Sequence, residues 1–302
     1  MRRLIYLFIS SVFLIGCNGS VNKLNEKSTN ISEMRSTNNI GVTGIGGIFF
    51  KCDNTDETKK WYTKNLNLVT NEYGSLFEFR LADNTEKSGY LQWSPFSNKT
   101  TYFEPSEKDF MINYRVGNLD ELLEQFKVDG VTILDTIESY EYGKFLHILD
   151  PENNKIELWE PIDTIFTDLY IGKTTINTGI GGILFKSKNP EKLKEWYKNN
   201  LGFNTDEYGT LFSFQNPINP SETNYLQWSP MPDTTDYFSP SEQEYMINYR
   251  VDNLEALIDT LKKNGVDILD AIEYTNYGNF VHIMGPEGNK IELWDPSNTK
   301  EN

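Results

Sequence analysis

The segment FLHILDPENNKIELWEP, Phe145 to Pro161, returns as FVHIMGPEGNKIELWDP, Phe280 to Pro296. The echo runs without a gap from Gly44 to Pro161 against Gly179 to Pro296, through GIGGIFFK and GIGGILFK and through YLQWSP and MINYRV in both copies. More than half of the aligned positions are identical. A chain of 302 residues built this way must fold each copy into the same kind of unit. Two units of about 120 residues suit the size of small domains. The duplication also narrows where chemistry can sit, because the only two histidines, His147 and His282, fall at equivalent places.

Each copy contains a fainter echo of its own. GGIFFK, the run DETKKWYTKNLNL and strand-like pieces ending in YLQWSP match, in order, MINYRV, LDELLEQFKVDGV and strands ending in IELWEP. Leu119, Leu122, Leu123 and Phe126 recur at helical spacing, and Gly130 follows where a left-handed cap closes a last turn. The first helix is predicted to start near Asn54 and to carry Trp61, Tyr62 and Leu66. EYG at 72–74, PENN and PEGN mark turns between strands. The pattern predicts strand, helix, then two or three strands, twice per copy.

The N-terminus, MRRLIYLFISSVFLIGC, has two arginines and then an apolar run from Leu4 to Ile15 that is too short to span a bilayer, the layout of a secretory leader. LIGC, Leu14 to Cys17, resembles a bacterial lipobox, which implies a lipoprotein signal peptide over 1–17 and lipid on Cys17. Acyl chains contribute roughly 0.8 kcal/mol per buried methylene. They would hold the protein to a membrane of the cell envelope, facing the periplasm or exterior. Residues 18–39 are polar, rich in Asn and Ser, and read as a flexible tether. With Cys17 lipidated, Cys52 has no partner for a disulfide, and its counterpart is Ser187. Against 28 basic residues stand 44 acidic ones, net −16, with no basic run beyond the leader. Phosphate backbones would be repelled, so no nucleic-acid partner is expected.

The order of elements, with DPENNKIELWEP, GPEGNKIELWDP and NPEKLKEWYKNNLGF, resembles the vicinal oxygen chelate superfamily of glyoxalases, extradiol dioxygenases, fosfomycin resistance enzymes and bleomycin-binding proteins. The resemblance implies an α+β fold of tandem glyoxalase-like domains, 40–162 and 177–298, joined by a linker over 163–176. Each domain would hold two βαβββ modules curled into a half-open barrel around a pocket. In metal-bearing members four strand positions supply ligands. Transferred to this chain, they fall on Gly47, Leu91 or Gln92, Met111 and Glu157, and on Gly182, Leu226 or Gln227, Met246 and Glu292. Only the last position of each set carries a hard ligand, which argues against a cofactor.

Strand alternation sorts the remaining residues into faces. Ile112, Tyr114 and Val116 form the more apolar set, which turns Met111, Asn113 and Arg115 inward. By the same rule His147, Glu157 and Trp159 face in, and the second copy offers Met246, Asn248, Arg250, His282, Glu292 and Trp294. In YLQWSP either Tyr90 and Gln92 or Leu91 and Trp93 face in. The expected ligand-binding residues are therefore Asn113, Arg115, His147, Glu157 and Trp159, with Asn248, Arg250, His282, Glu292 and Trp294 in the second pocket. Arg115 could pair with Glu157 across the barrel. Aromatic residues such as Tyr102, Tyr142, Tyr237 and Tyr277 lie where a lid could close.

Three functions fit these residues. The first is a lipid-anchored, metal-independent protein that binds or sequesters a small molecule in concave pockets, each contained in one copy. The second is a divergent metal-dependent lyase, isomerase or dioxygenase of the glyoxalase type, with a divalent metal on Glu157 and Glu292 and their neighbouring histidines. The third is a surface-attached interaction module.

Overall fold

Asparagine starts each helix and a tight left-handed residue ends most of them, so the element boundaries follow local chemistry. In the computed structural model, residues 41–166 and 177–296 are described. The leader, Cys17, the tether and most of the linker lie outside these residues. The first repeat runs β1 (Val42–Cys52), α1 (Thr55–Leu66), β2 (Ser75–Arg80), β3 (Ser88–Ser97), β4 (Phe110–Val116), α2 (Leu119–Asp129), the short β5 (Thr132–Ile133) and β6 (Glu138–Tyr140), β7 (Gly143–Leu149) and β8 (Lys155–Pro161). A 3-10 turn, Asp163–Phe166, follows. The second repeat runs β9 (Asn177–Ser187), α3 (Pro190–Leu201), β10 (Thr210–Gln215), β11 (Thr223–Pro232), β12 (Tyr245–Val251), α4 (Leu254–Lys263), β13 (Glu273–Thr275), β14 (Gly278–Met284) and β15 (Lys290–Asp295).

The side chains of Asn54, Asn118, Asn189 and Asn253 accept hydrogen bonds from first-turn backbone amides of the four helices. Asn67, Gly130 and Gly202 end three of them in the left-handed region. Each helix is a crossover that returns the chain to a parallel pairing: β1 with β3, β4 with β8, β9 with β11 and β12 with β15. The two modules of a repeat meet through their first strands, β1 against β4 and β9 against β12, both antiparallel. In the first module the strand expected after the helix is reduced to a bridge between Thr70 and Ser75. No helix among the described residues is long and apolar enough to cross a membrane.

The fold is α+β, as the resemblance implies, with the tandem arrangement visible in the sheet. Gln215 of β10 pairs with Arg80 of β2, which joins the two repeats into one sheet. Residues 39–302 form a single compact unit. Ile112, Tyr114, Leu146, Ile148 and Leu158 pack under the helices as alternation predicts, and Leu91 and Trp93 join them. The ambiguous strand β3 is thereby settled, with Tyr90 and Gln92 on the concave side.

One core cluster runs through both repeats. Trp93 Nε1 donates to the Tyr249 hydroxyl at 2.7 Å, and Trp228 Nε1 donates to the Tyr114 hydroxyl at 2.7 Å. The PENN and PEGN turns reach across in the same reciprocal way. Glu152 accepts from Ser187 Oγ (2.7 Å), Lys188 N (3.0 Å) and Asn189 N (2.8 Å) at the head of α3. Glu287 accepts from Asp53 N (3.0 Å) and Thr58 Oγ1 (2.9 Å) at the head of α1. The repeats therefore share their convex core, while each keeps its own concave face.

Candidate functional site

Strand register lines up the concave side chains. His147 pairs with Glu157 across β7 and β8, Glu157 with Asn113 across β8 and β4, Asn113 with Gly47 across β4 and β1, and Gly47 with Gln92 across β1 and β3. The second repeat lines up His282, Glu292, Asn248, Gly182 and Gln227 in the same order. Residues paired across neighbouring strands share a face. One row thus crosses the whole hollow.

The row is centred on a buried carboxylate. Glu157 accepts from Asn113 Nδ2 at 2.6 Å on one oxygen, and its other oxygen lies 3.0 Å from His147 Nε2 and takes a short hydrogen bond from the Tyr102 hydroxyl. His147 Nδ1 lies 2.5 Å from Asp135, which also accepts from the His147 backbone amide at 2.9 Å. The second hollow reproduces this: Glu292 with Asn248 at 2.7 Å, Tyr237 at 2.5 Å and His282 at 3.1 Å, and His282 with Asp270 at 2.6 Å. Glu157 is 3% exposed, Asn113 2% and His147 8%, whereas Tyr102 is 38% exposed. The phenol is where the cluster meets the open side.

These contacts set the protonation states. Burial alone would lower the basicity of His147, but the hydrogen bond and charge of Glu157, with Asp135 beside it, outweigh burial and raise its pKa above 6.5. His282 is raised in the same way against the same opposition from burial. Burial would push Glu292 up, yet the hydrogen bonds and charge from His282, then Tyr237 and Asn248, hold it below 4.5. Burial and the adjacent Glu157 charge push Tyr102 far above the ordinary phenol range, so it keeps its proton. The cluster sets a histidine made more basic than usual between two acidic side chains and caps it with a phenol that keeps its proton.

The metal that the resemblance implies does not fit this donor set. Gly47 has no donor, and a Cβ there would already lie 2.7 Å from the Phe49 ring and 3.2 Å from Asn113 Cβ. Asn113, and not Met111, stands beside Glu157 in the row; Met111 is buried against Phe49 and Phe103 instead. The amide nitrogen of Asn113, the hydroxyl of Tyr102 and Nε2 of His147 all face the one carboxylate that would have to serve as ligand. Among the described residues no three His, Cys, Asp or Glu side chains converge as a metal group would require.

The other expected residues go elsewhere on the concave face. Arg115 does not pair with Glu157. It forms a two-pronged salt bridge to Asp163 at 2.9 and 2.5 Å and lies 5.2 Å from the Trp159 ring centroid. The register explains this: Arg115 stands opposite Trp159, two residues along from Glu157. In the second hollow Arg250 reaches Glu222 at 2.5 Å and Asn224 instead. Trp159 stacks on Phe145 at 5.9 Å, and Trp294 on Phe280 at 6.1 Å. The loop after β3 folds over one end of the hollow, where Phe103 is buried and Tyr102 stacks on Phe96. Burial, and then the nearby acidic groups of Glu157 and Glu141, raise the Tyr142 phenol above its ordinary pKa. Asp135 and Asp270 were not among the expected residues, although ILD stands at the same place in both repeats.

No protein-family model matches the sequence, and no curated protein does. Solved structures do. The manganese(II)-bound glyoxalase of Novosphingobium aromaticivorans aligns over 85% of this chain and 83% of its own at 13% identity, with a TM-score of 0.52. A catechol 2,3-dioxygenase aligns over 84% of this chain and 88% of its own at 16% identity, with a TM-score of 0.57. Homoprotocatechuate 2,3-dioxygenase of Arthrobacter globiformis aligns over 84% and 80% at 14% identity, with a TM-score of 0.52. Identities this low speak for the fold alone. By fold, the chain is similar to these glyoxalase and extradiol dioxygenase structures over about 85% of its length.

Proposed function

We propose that the protein binds a small molecule in each of its two hollows without a metal, held at a membrane surface of the cell envelope by lipid on Cys17. One observation carries the metal-free reading: the carboxylate at the family's ligand position is met by three protein donors, Asn113, His147 and Tyr102, and the second hollow repeats this with Asn248, His282 and Tyr237. A cation there would have to displace the phenol and compete with the imidazole and the amide for the same carboxyl oxygens. The aromatic side chains beside the buried polar cluster support a small organic ligand, since such sites combine apolar walls with a few directed polar groups.

Elemental analysis of protein purified without chelator tests this. Less than a tenth of an equivalent of manganese, iron, nickel or zinc per hollow is expected after dialysis; one equivalent retained per hollow overturns the metal-free reading. The anchor is tested by feeding labelled palmitate to bacteria that make the full chain. Label is expected in the wild type and lost with Cys17→Ala, and label that persists in the variant refutes lipidation at Cys17.

A further inference from the structure

The two hollows carry the same polar cluster but different walls. We propose that both recognise a small amphipathic molecule through a hydrogen-bond-donating head, hydroxyl or ammonium, and that the second hollow selects the bulkier apolar tail. The inference rests on the reading of the hollows as small-molecule sites and adds the ligand's chemistry to it.

The head follows from the direction of the bonds. The Tyr102 hydroxyl donates a hydrogen bond to Glu157, and the Tyr237 hydroxyl donates one to Glu292. Asn113 and His147 also aim at Glu157 and are buried. The most exposed member of the first cluster is Tyr102, whose hydroxyl hydrogen is committed to a carboxylate, and a phenol oxygen so bonded is left to accept. A ligand complements it only by donating.

The tail follows from the middle of the row. A Cβ on Gly47 would lie 2.7 and 2.8 Å from two atoms of the Phe49 ring, so this ring lies across the floor of the first hollow. Leu184 takes the place of Phe49 in the second repeat and is only half-buried. The three heavy atoms nearest the same point above Gly182 are Gln227 O at 3.0 Å, Gln227 Cβ at 3.4 Å and Asn248 Cβ at 3.5 Å, none of them from Leu184. Phe96, stacked on Tyr102 with centroids 5.5 Å apart, is replaced by Met231. Two rings packed against each other beside the first cluster, with centroids 5.7 Å apart, are thus replaced by Leu184 and Met231 in the second repeat. Close packing makes such a difference in wall volume a difference in ligand size.

Isothermal titration of residues 39–302, the compact unit, with four probes tests this: benzylamine, benzyl alcohol, benzoate and 1-naphthylmethylamine. Benzylamine and benzyl alcohol are expected at two sites per chain, and whichever binds tighter tells ammonium from hydroxyl. Benzoate, which cannot donate, is expected to bind at least about tenfold more weakly. The naphthyl probe is expected at one site, weakened at least about tenfold by Tyr237→Phe but not by Tyr102→Phe. Phe49→Leu with Phe96→Met should raise its stoichiometry to two. The reverse exchange, Leu184→Phe with Met231→Phe, should abolish its binding, and serves if the first pair fails to fold. Equal naphthyl binding at two sites in the wild type, benzoate binding as tight as benzylamine, or no heat from any probe overturns the proposal. Retained metal would instead sink the metal-free reading and leave the comparison of walls standing.

Discussion

At Gly46 a missing side chain decides whether the cluster can assemble. Gly46 is the bulged residue between Ile45 and Gly47, and a Cβ there would fall 2.3 Å from Asn113 Oδ1 and 2.8 Å from Trp159 Cε3. Gly44, two residues earlier, has no heavy atom within 4 Å of its Cβ position. Gly46→Ala is therefore expected to cost about 1–3 kcal/mol, as overpacking does, and Gly44→Ala less than about 0.5 kcal/mol. Urea unfolding of the two variants checks this, and equal costs would contradict it. The charged pair makes a second prediction at this scale. His282 has a folded-state pKa above 6.5, so its contribution is complete below that value and fades as pH rises through the raised pKa. Glu292 has one below 4.5, so its contribution is complete above that value and is lost as pH falls through the depressed pKa. Both are present between pH 4.5 and 6.5. The gap in melting temperature between wild type and His282→Gln should be widest in that interval and narrow on either side. A gap that stays constant from pH 4 to pH 9 would show that the pair is not ionised as described.

Among the elements, the hairpin of β7 and β8 has two tasks. Its strands carry His147 and Glu157, and its turn places Glu152 against backbone amides at the head of α3 in the other repeat. Glu152→Ala should cost about 1 kcal/mol, the usual net value of such hydrogen bonds, and should raise amide exchange at Lys188 and Asn189. Exchange unchanged at both residues would mean that the turn does not clamp the helix. The strands and helices of these hairpins were legible in the sequence because their signals are local. Apolar spacing, Asn54 before the first helix and Gly130 after the second mark boundaries, and alternation puts Asn113, His147 and Glu157 on one face. Contacts that depend on irregular chain were not legible. Asp135 lies between β5 and β6 where no period applies, Tyr102 reaches Glu157 only through the fold of its loop, and the pairing of Arg115 with Asp163 depends on a turn beyond β8. In β3 both alternate sets are amphipathic, so only packing could choose between them.

Across the whole molecule, a sequence repeat does not say which copy covers which core. Tyr114 reads as an outward-facing residue that a helix of its own repeat could bury, and periodicity is the same whichever helix does so. In the fold, the Tyr114 ring meets Tyr197 and Phe203 of the second repeat, with centroids 5.8 and 5.4 Å apart, and Tyr62 of α1 meets Tyr249 at 5.6 Å. Residues 40–162 alone would leave Tyr114 without Trp228 and the head of α1 without Glu287. Large buried aromatic side chains dominate core energetics, so half of this core should not hold a fixed packing. The isolated repeat is expected to show weak near-ultraviolet circular dichroism and a broad thermal transition, and to self-associate in sedimentation. Mixing it with residues 177–298 should restore a single sharp transition, because the reciprocal contacts need only proximity and not the linker. A monomeric first repeat that melts as sharply alone as in the mixture would show that each copy closes its own core.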